Sequence, residues 1–268
     1  MSGQRLVRLG IRVRAAQAET ALAGLLPVLG AGAEERDLGA AVEYAVYLPE
    51  QELPPPEAIR RLAGDALLGT VSEPVPEDWE RRHLAHLRRV EVGSGLTLRP
   101  PWVAGEPGDL LIDPGPAFGA GTHESTRLAL ELLLEWQPGG ALCDWGAGSG
   151  VLAVAAARLG WAPVAALELD PRALPVIRAN AAANGVAVEA RLSDLRAAEP
   201  PWAPTVLANL TAPLHEQVAA RLERAPERLI ASGTLGRDAG RVCAAYARHG
   251  LREVDRRADG EWAAVVLA

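Results

Sequence analysis

The 268-residue sequence predicts an α/β protein: a mostly parallel, doubly wound sheet with an antiparallel edge, preceded by a small ferredoxin-like α+β domain. Three observations predict it. From Asp109 onward, short apolar strands alternate with longer helical segments, the pattern of parallel strands joined by crossover helices. Residues 1–73 instead read as β-α-β-β-α-β, the element order of a ferredoxin-like unit. Between the two, Glu73 to Asp78 carries Pro74 and Pro76, which suits a linker. The expected domains are 1–73, a linker with a helix over 74–90, and 91–268.

In order along the chain, Leu6 to Val13 alternates apolar residues as a strand does, and a helix follows over Glu19 to Leu29. Val42, Tyr44, Val46 and Leu48 alternate in the next β region, with Gly39 as the turn before it. The Pro54-Pro55-Pro56 run opens a helix from Glu57 to about Ala66, and a short strand near Leu67 to Val71 closes the unit. A helix near Asp78 to Arg88 and a hairpin around Gly93 to Gly95 come next. The α/β pattern then supplies strands Leu110 to Ile112, Ala141 to Trp145, Val164 to Leu169, Val188 to Leu192, Val206 to Leu210 and Leu229 to Ser232. Helices from Thr122, over Val151 to Leu159, Arg172 to Asn184, Pro213 to Arg224 and Arg237 to Arg248 fall among them. Strands near Leu251 to Val254 and Trp262 to Leu267, joined at Asp259-Gly260, form the antiparallel edge.

Composition removes several function classes. All 27 basic residues are arginine, so a Schiff-base lysine, a pyridoxal phosphate anchor and a P-loop lysine are excluded. The net charge of −7 argues against stable, unspecific nucleic-acid binding, which needs many basic contacts to phosphate. No apolar run reaches the roughly 18 to 20 residues of a bilayer span, and the charged N-terminus does not resemble a secretory signal. A cytoplasmic protein without membrane contact is expected. Cys143 and Cys243 lack metal-ligand spacing and are expected in the core, with no metal site.

The sharpest motif is Asp144-Trp145-Gly146-Ala147-Gly148-Ser149-Gly150, set between an apolar strand and the helix that begins at Val151. Glycines let the backbone approach a ligand closely at a helix N-terminus, where free amides attract electron-rich groups. A dinucleotide fingerprint needs glycine at the sixth position, where this chain has Val151. G-x-G-x-G is instead the loop of Rossmann-like methyltransferases; the bland alternative is a tight strand-to-helix turn. Glu168, at the tip of the next strand, is placed to accept both hydroxyls of a ribose lying across the strand ends. Asp170, followed by Pro171, reads better as a helix cap.

Phe118-Gly119-Ala120-Gly121-Thr122-His123-Glu124-Ser125-Thr126 is a glycine loop feeding a helix. Such a loop can close over a cofactor as a lid, with a hydroxyl from Thr122 or Thr126 and stacking by Phe118, the chain's one phenylalanine. Thr122 can equally be an N-cap, and Phe118 simple packing. Asn209, in Asn209-Leu210-Thr211-Ala212-Pro213, would face a transferring group beyond the strand C-termini, or else cap the Pro213 helix. Weaker candidates have bland readings. His83 and His86 fit a solvated helix face better than a metal site. His215 and Glu216 can accept a proton or be ordinary surface helix residues. Arg8, Arg12 and Arg14 share a strand face that can touch RNA or an acidic partner, or be simply solvated.

Together, and in this order, these four motifs resemble the bacterial PrmA family of enzymes that methylate the large-subunit ribosomal protein L-eleven, from about Asp78 to the C-terminus. The Phe118 to Thr126 block is the most specific part. The resemblance implies a class I S-adenosylmethionine domain behind an N-terminal substrate-recognition domain. It also implies cofactor contacts at Thr126, Gly146, Glu168 and Asn209, extended by neighbourhood to Gly148, Phe118 and Thr122. The implied substrate is a ribosomal protein, free or on the large subunit, methylated on lysine side chains and its N-terminal amine. The expected enzyme is a monomer with Asn209 as its catalytic residue. Three departures stand out: Glu168 where the family usually has Asp, Ala120 where it usually has Thr, and a partly kept segment after Trp79. Readings of other classes remain: a methyltransferase of another protein or small-molecule amine, a nicotinamide-dependent oxidoreductase, or a silent binding module.

Overall fold

The computed structural model describes residues 6–29, 33–75, 87–93, 95–115 and 121–268. The expected helix near Asp78 and the residues His83, His86 and Phe118 lie outside these. The chain divides into two compact units, Met1–His86 and Leu87–Ala268.

The first unit contains β1 (Leu6–Arg14), α1 (Ala18–Leu29), β2 (Glu34–Asp37), β3 (Ala41–Pro49), α2 (Pro56–Ala63) and β4 (Leu67–Pro74). Its sheet runs in the order β2-β3-β1-β4 with every neighbour antiparallel, the ferredoxin-like topology that the element order predicts. Leu9, Ile11 and Val13 from β1 pack with Val42, Tyr44 and Val46 from β3 and with Leu25 and Ile59 from the helices. Alternation sends Arg8, Arg12 and Arg14 to the opposite face. That face is not simply solvated. Arg8 and Arg12 both donate to Glu43, at 2.7 and 2.6 Å, and Glu43 is only 3% exposed. The two guanidiniums hold its carboxyl below the usual range. Arg14 donates to the Asp65 carbonyl.

The second unit opens with a three-stranded sheet, β5 (Val90–Val92), β6 (Leu96–Arg99) and β7 (Leu110–Leu111). The hairpin expected at Gly93 is present between β5 and β6. However, β7 does not begin the large sheet as the alternation suggested. It pairs with β6 on one side, while the Asn184 side chain bonds Leu111 on the other and Asn180 bonds Asp113 just beyond, so no strand can add there. The large sheet's elements are α3 (Glu124–Leu134), β8 (Leu142–Trp145), α4 (Val151–Leu159), β9 (Val164–Glu168), α5 (Ala173–Ala183), β10 (Glu189–Leu192), β11 (Thr205–Asn209), α6 (Ala212–Ala219), β12 (Arg228–Leu235), α7 (Ala239–Ala247), β13 (Glu253–Asp259) and β14 (Trp262–Leu267).

Its strand order is β10-β9-β8-β11-β12-β14-β13, parallel from β10 to β12. β14 is antiparallel to both neighbours, so the last strand is inserted and β13 is the edge. Both faces are covered. Leu142, Leu207, Ile230 and Ala264 face α3, α4 and α5, whereas Cys143, Val206, Leu229 and Val265 face α6 and α7. Burial on two faces is why these strands read as continuous apolar runs. Of the two cysteines expected inside, Cys143 is buried, but Cys243 is only half-buried and its thiol donates to Glu253 at the sheet edge.

Candidate active site

The order of strands reverses beside β8, and open α/β sheets bind ligands beyond the strand C-termini at such a point. Three of the four sequence motifs end there. Gly146, Gly148 and Gly150 carry φ of +74°, +55° and +81° between β8 and α4. The loop is moored by its own backbone, since the amides of Gly146 and Ala147 both donate to the Leu167 carbonyl of β9 at 2.9 Å. At Gly150 a side chain has neither a permitted φ nor space, because a Cβ would stand 2.9 Å from Ile177 of α5.

Glu168 closes over this loop. One carboxylate oxygen accepts the Gly148 amide at 2.7 Å, and the other accepts those of Leu169 and Asp170 at 2.7 and 3.0 Å. Asp170 is committed elsewhere, to the backbone and guanidinium of Arg172, so Glu168 is the carboxylate against the glycines. Below the loop sits Asp144, 1% exposed. Its Oδ2 accepts the Ala153 amide in the first turn of α4 at 3.0 Å, and its Oδ1 has no partner among the described residues. Burial pushes its carboxyl up to about 7.

The sign of this shift sets a pH dependence. The folded state holds the Asp144 proton more tightly than the unfolded chain, so the associated stability is full below about pH 4. It is lost as pH rises from there through about 7. Urea unfolding at pH 5 and pH 8 should therefore show a smaller loss of stability in Asp144→Asn than in the parent. Equal losses would disprove the shift.

On the other side of β8, Asn209 ends β11 and donates through Nδ2 to Thr126 Oγ1 at 3.1 Å. The two residues lie 83 positions apart in the chain. The amide therefore does not cap α6, whose N-cap is Thr211. Its Oδ1 lies over Gly233, where a Cβ would stand 2.6 Å from it and 2.7 Å from the Leu210 backbone, at a φ of +79°. Gly233→Ala should push Asn209 off Thr126 and lower turnover by an order of magnitude or more. A steady-state assay with full activity would contradict this placement.

The helix expected from Thr122 begins two residues later. Thr122 is exposed, and His123 is the N-cap of α3, accepting the Ser125 amide at 3.2 Å with its ring edge-on to Trp262. His215 is neither a proton acceptor nor a surface residue. It is fully buried between the Ser232 carbonyl and the Tyr246 hydroxyl, and burial pushes it down to about 4. Glu216 pairs with Arg241. Sequence reasoning passed over Asp144 as a site residue, although a carboxylate inside a four-residue buried strand is a signal in itself.

A family model described as "Ribosomal protein L11 methyltransferase (PrmA)" matches residues 49–268, starting well before Asp78. A ribosomal protein L11 methyltransferase of Pelotomaculum thermopropionicum is 41% identical over 206 residues, covering 73% of this chain and 66% of its own length. The one from Geobacter sulfurreducens is 38% identical over 224 residues, covering 78% and 75%. A crystal structure of a ribosomal protein L11 methylase from Lactobacillus delbrueckii subsp. bulgaricus superposes with a TM-score of 0.59 at 24% identity, covering 68% of this chain and 98% of that one, which supports the fold.

Proposed function

Because this chain belongs to the ribosomal protein L11 methyltransferase (PrmA) family, we propose that it transfers methyl groups from S-adenosylmethionine to amines of a large-subunit ribosomal protein. The observation that carries this reading is the convergence of the glycine loop with Glu168 and of Asn209 with Thr126 at the carboxyl ends of adjacent strands. The donor set fits the cofactor. Bare backbone at the three glycines lets its amino-acid end come close to the loop, and Glu168 suits its ribose hydroxyls.

When bound, the cofactor supplies an electrophilic methyl group. The chain's part is to hold a neutral amine about 3 Å from that carbon, in line with the bond that breaks, and to exclude water. Desolvation favours loss of the ammonium proton, so no dedicated base is required. With Nδ2 committed to Thr126, Asn209 offers Oδ1 and the backbone carbonyls after it to orient the amine. Thr126, Gly148 and Thr122 complete the cofactor site in this reading, which also keeps Phe118 as a contact on sequence grounds alone.

The acceptors are lysine side chains and the N-terminal amine, with residues 1–73 as the recognition domain. A cytoplasmic monomer without stable nucleic-acid binding fits the charge of −7, and among the described residues no helix is long and apolar enough to cross a membrane. The test is incubation with labelled S-adenosylmethionine and ribosomes from a methylation-deficient strain, then mass spectrometry of the labelled band. Label confined to lysines and the terminal amine of one large-subunit protein is the expected result. Label on other proteins alone, or none, would refute it.

A further inference from the structure

Two asparagines one helical turn apart on α5 and its C-cap bond the end of β7 and the segment just beyond it as a neighbouring strand would. Asn184 accepts the Leu111 amide at 2.8 Å and donates to the Leu111 carbonyl at 2.7 Å. Asn180 accepts the Asp113 amide at 2.9 Å and donates to the Asp113 carbonyl at 2.8 Å. The match is geometric. Alternate residues of a strand present both polar groups to one side about 6.6 Å apart, and residues four apart on a helix rise by about 6 Å. The alternate residues Leu110 and Ile112 turn the other way onto β6 and into the core.

Asn180 makes one bond that Asn184 does not. Its Nδ2 also donates to the Ser149 carbonyl at 2.9 Å, inside the glycine loop, and the residue is 2% exposed. With Ile177 pressed on Gly150 one turn earlier, α5 is the floor of that loop. We propose that Asn180 is a positioning residue for the cofactor site: one side-chain amide ties the Asp113 backbone to the Ser149 carbonyl and so fixes the peptide planes of Gly148 to Gly150. This rests on the cofactor reading given above. The bond matters because a loop of bare backbone can take a ligand in one geometry only if it is held in place beforehand.

The test compares Asn180→Ala with Asn184→Ala, which cuts the same clasp without touching the loop. Hydrogen exchange of the free protein over residues 146–152 and calorimetric S-adenosylmethionine affinity are the readouts, with melting temperature as the measure of general destabilisation. Asn180→Ala should speed loop exchange at least about tenfold and weaken the cofactor by a similar factor. Asn184→Ala should melt earlier yet keep both loop readouts within about twofold. Should Asn180→Ala not fold, Asn180→Asp keeps the shape but has at most one donor for two carbonyls, and should lose at least about fivefold in both loop readouts, clearly more than Asn184→Ala. Parent-like exchange and affinity in the Asn180 variants, or equal effects from Asn184→Ala, would overturn the role. The two failures separate: a parent protein without affinity for S-adenosylmethionine sinks the functional reading. A binding parent with unaffected Asn180 variants sinks the positioning role alone.

Discussion

Glu168→Ala is expected to raise the dissociation constant for S-adenosylmethionine at least about 100-fold while leaving the fold intact. The carboxylate accepts the Gly148 amide of the glycine loop, and a charge-assisted hydrogen bond is worth roughly 1.5 to 3 kcal/mol, so losing a pair to a ribose exceeds a hundredfold. The truncation also frees the Gly148, Leu169 and Asp170 amides, but Glu168 stands at a strand tip where water can take them over. Glu168→Gln separates the contributions. It keeps the length, loses the charge, and turns an NH2 toward either the Gly148 amide or the ligand, so it should be nearly as damaging. Glu168→Asp, the residue usual in the family, should retain affinity within about tenfold. Calorimetry on the three variants reads all of this, and unchanged affinity in Glu168→Ala would remove the ribose assignment.

The second large effect falls on turnover. In Asn209→Ala, kcat at saturating cofactor should drop by about 100- to 1000-fold, the loss typical of one preorganised polar contact at a reacting centre, with cofactor affinity changed less than about fivefold. The reasoning is that Asn209 is held from two sides, by Thr126 Oγ1 and by the bare backbone of Gly233, and is thereby aimed rather than free. Thr126→Val should reproduce the effect in miniature, near tenfold, because it leaves Asn209 in place but unanchored. If kcat and affinity fall together in Asn209→Ala, the residue belongs to the cofactor's binding contacts and not to the orientation of the amine.

Much of the fold was legible because the periodicities are local consequences of burial. β8, β9, β11 and β12 read as apolar runs because helices cover both faces of their sheet, and β1 reads as an alternation because one face meets a core. The glycine loop was legible too, since its φ values are positive and few other residues adopt them. What the pattern misjudged depended on partners far away in the chain. β7 carries the composition of a sheet strand, yet it stays in the small sheet because Asn184 occupies its edge and Asn180 that of the segment after it. His215 stands on a mixed helix face and is nevertheless buried, because Tyr246 and Ser232 meet it from α7 and β12. Arg8 and Arg12 suggested a solvated face until Glu43 came between them.

The sequence by itself determined the two units' element order, the G-x-G-x-G loop that excludes a dinucleotide fingerprint, and the carboxylate at the next strand's tip. These depend on spacing within some 25 residues, where backbone stereochemistry leaves little choice. Only the tertiary structure decided that Asn209 faces Thr126 instead of capping α6, that His123 rather than Thr122 begins α3, and that Asn180 braces the glycine loop. A side-chain amide or hydroxyl can satisfy several partners equally well, and which one it takes is fixed by the packing that brings distant segments to about 3 Å from each other.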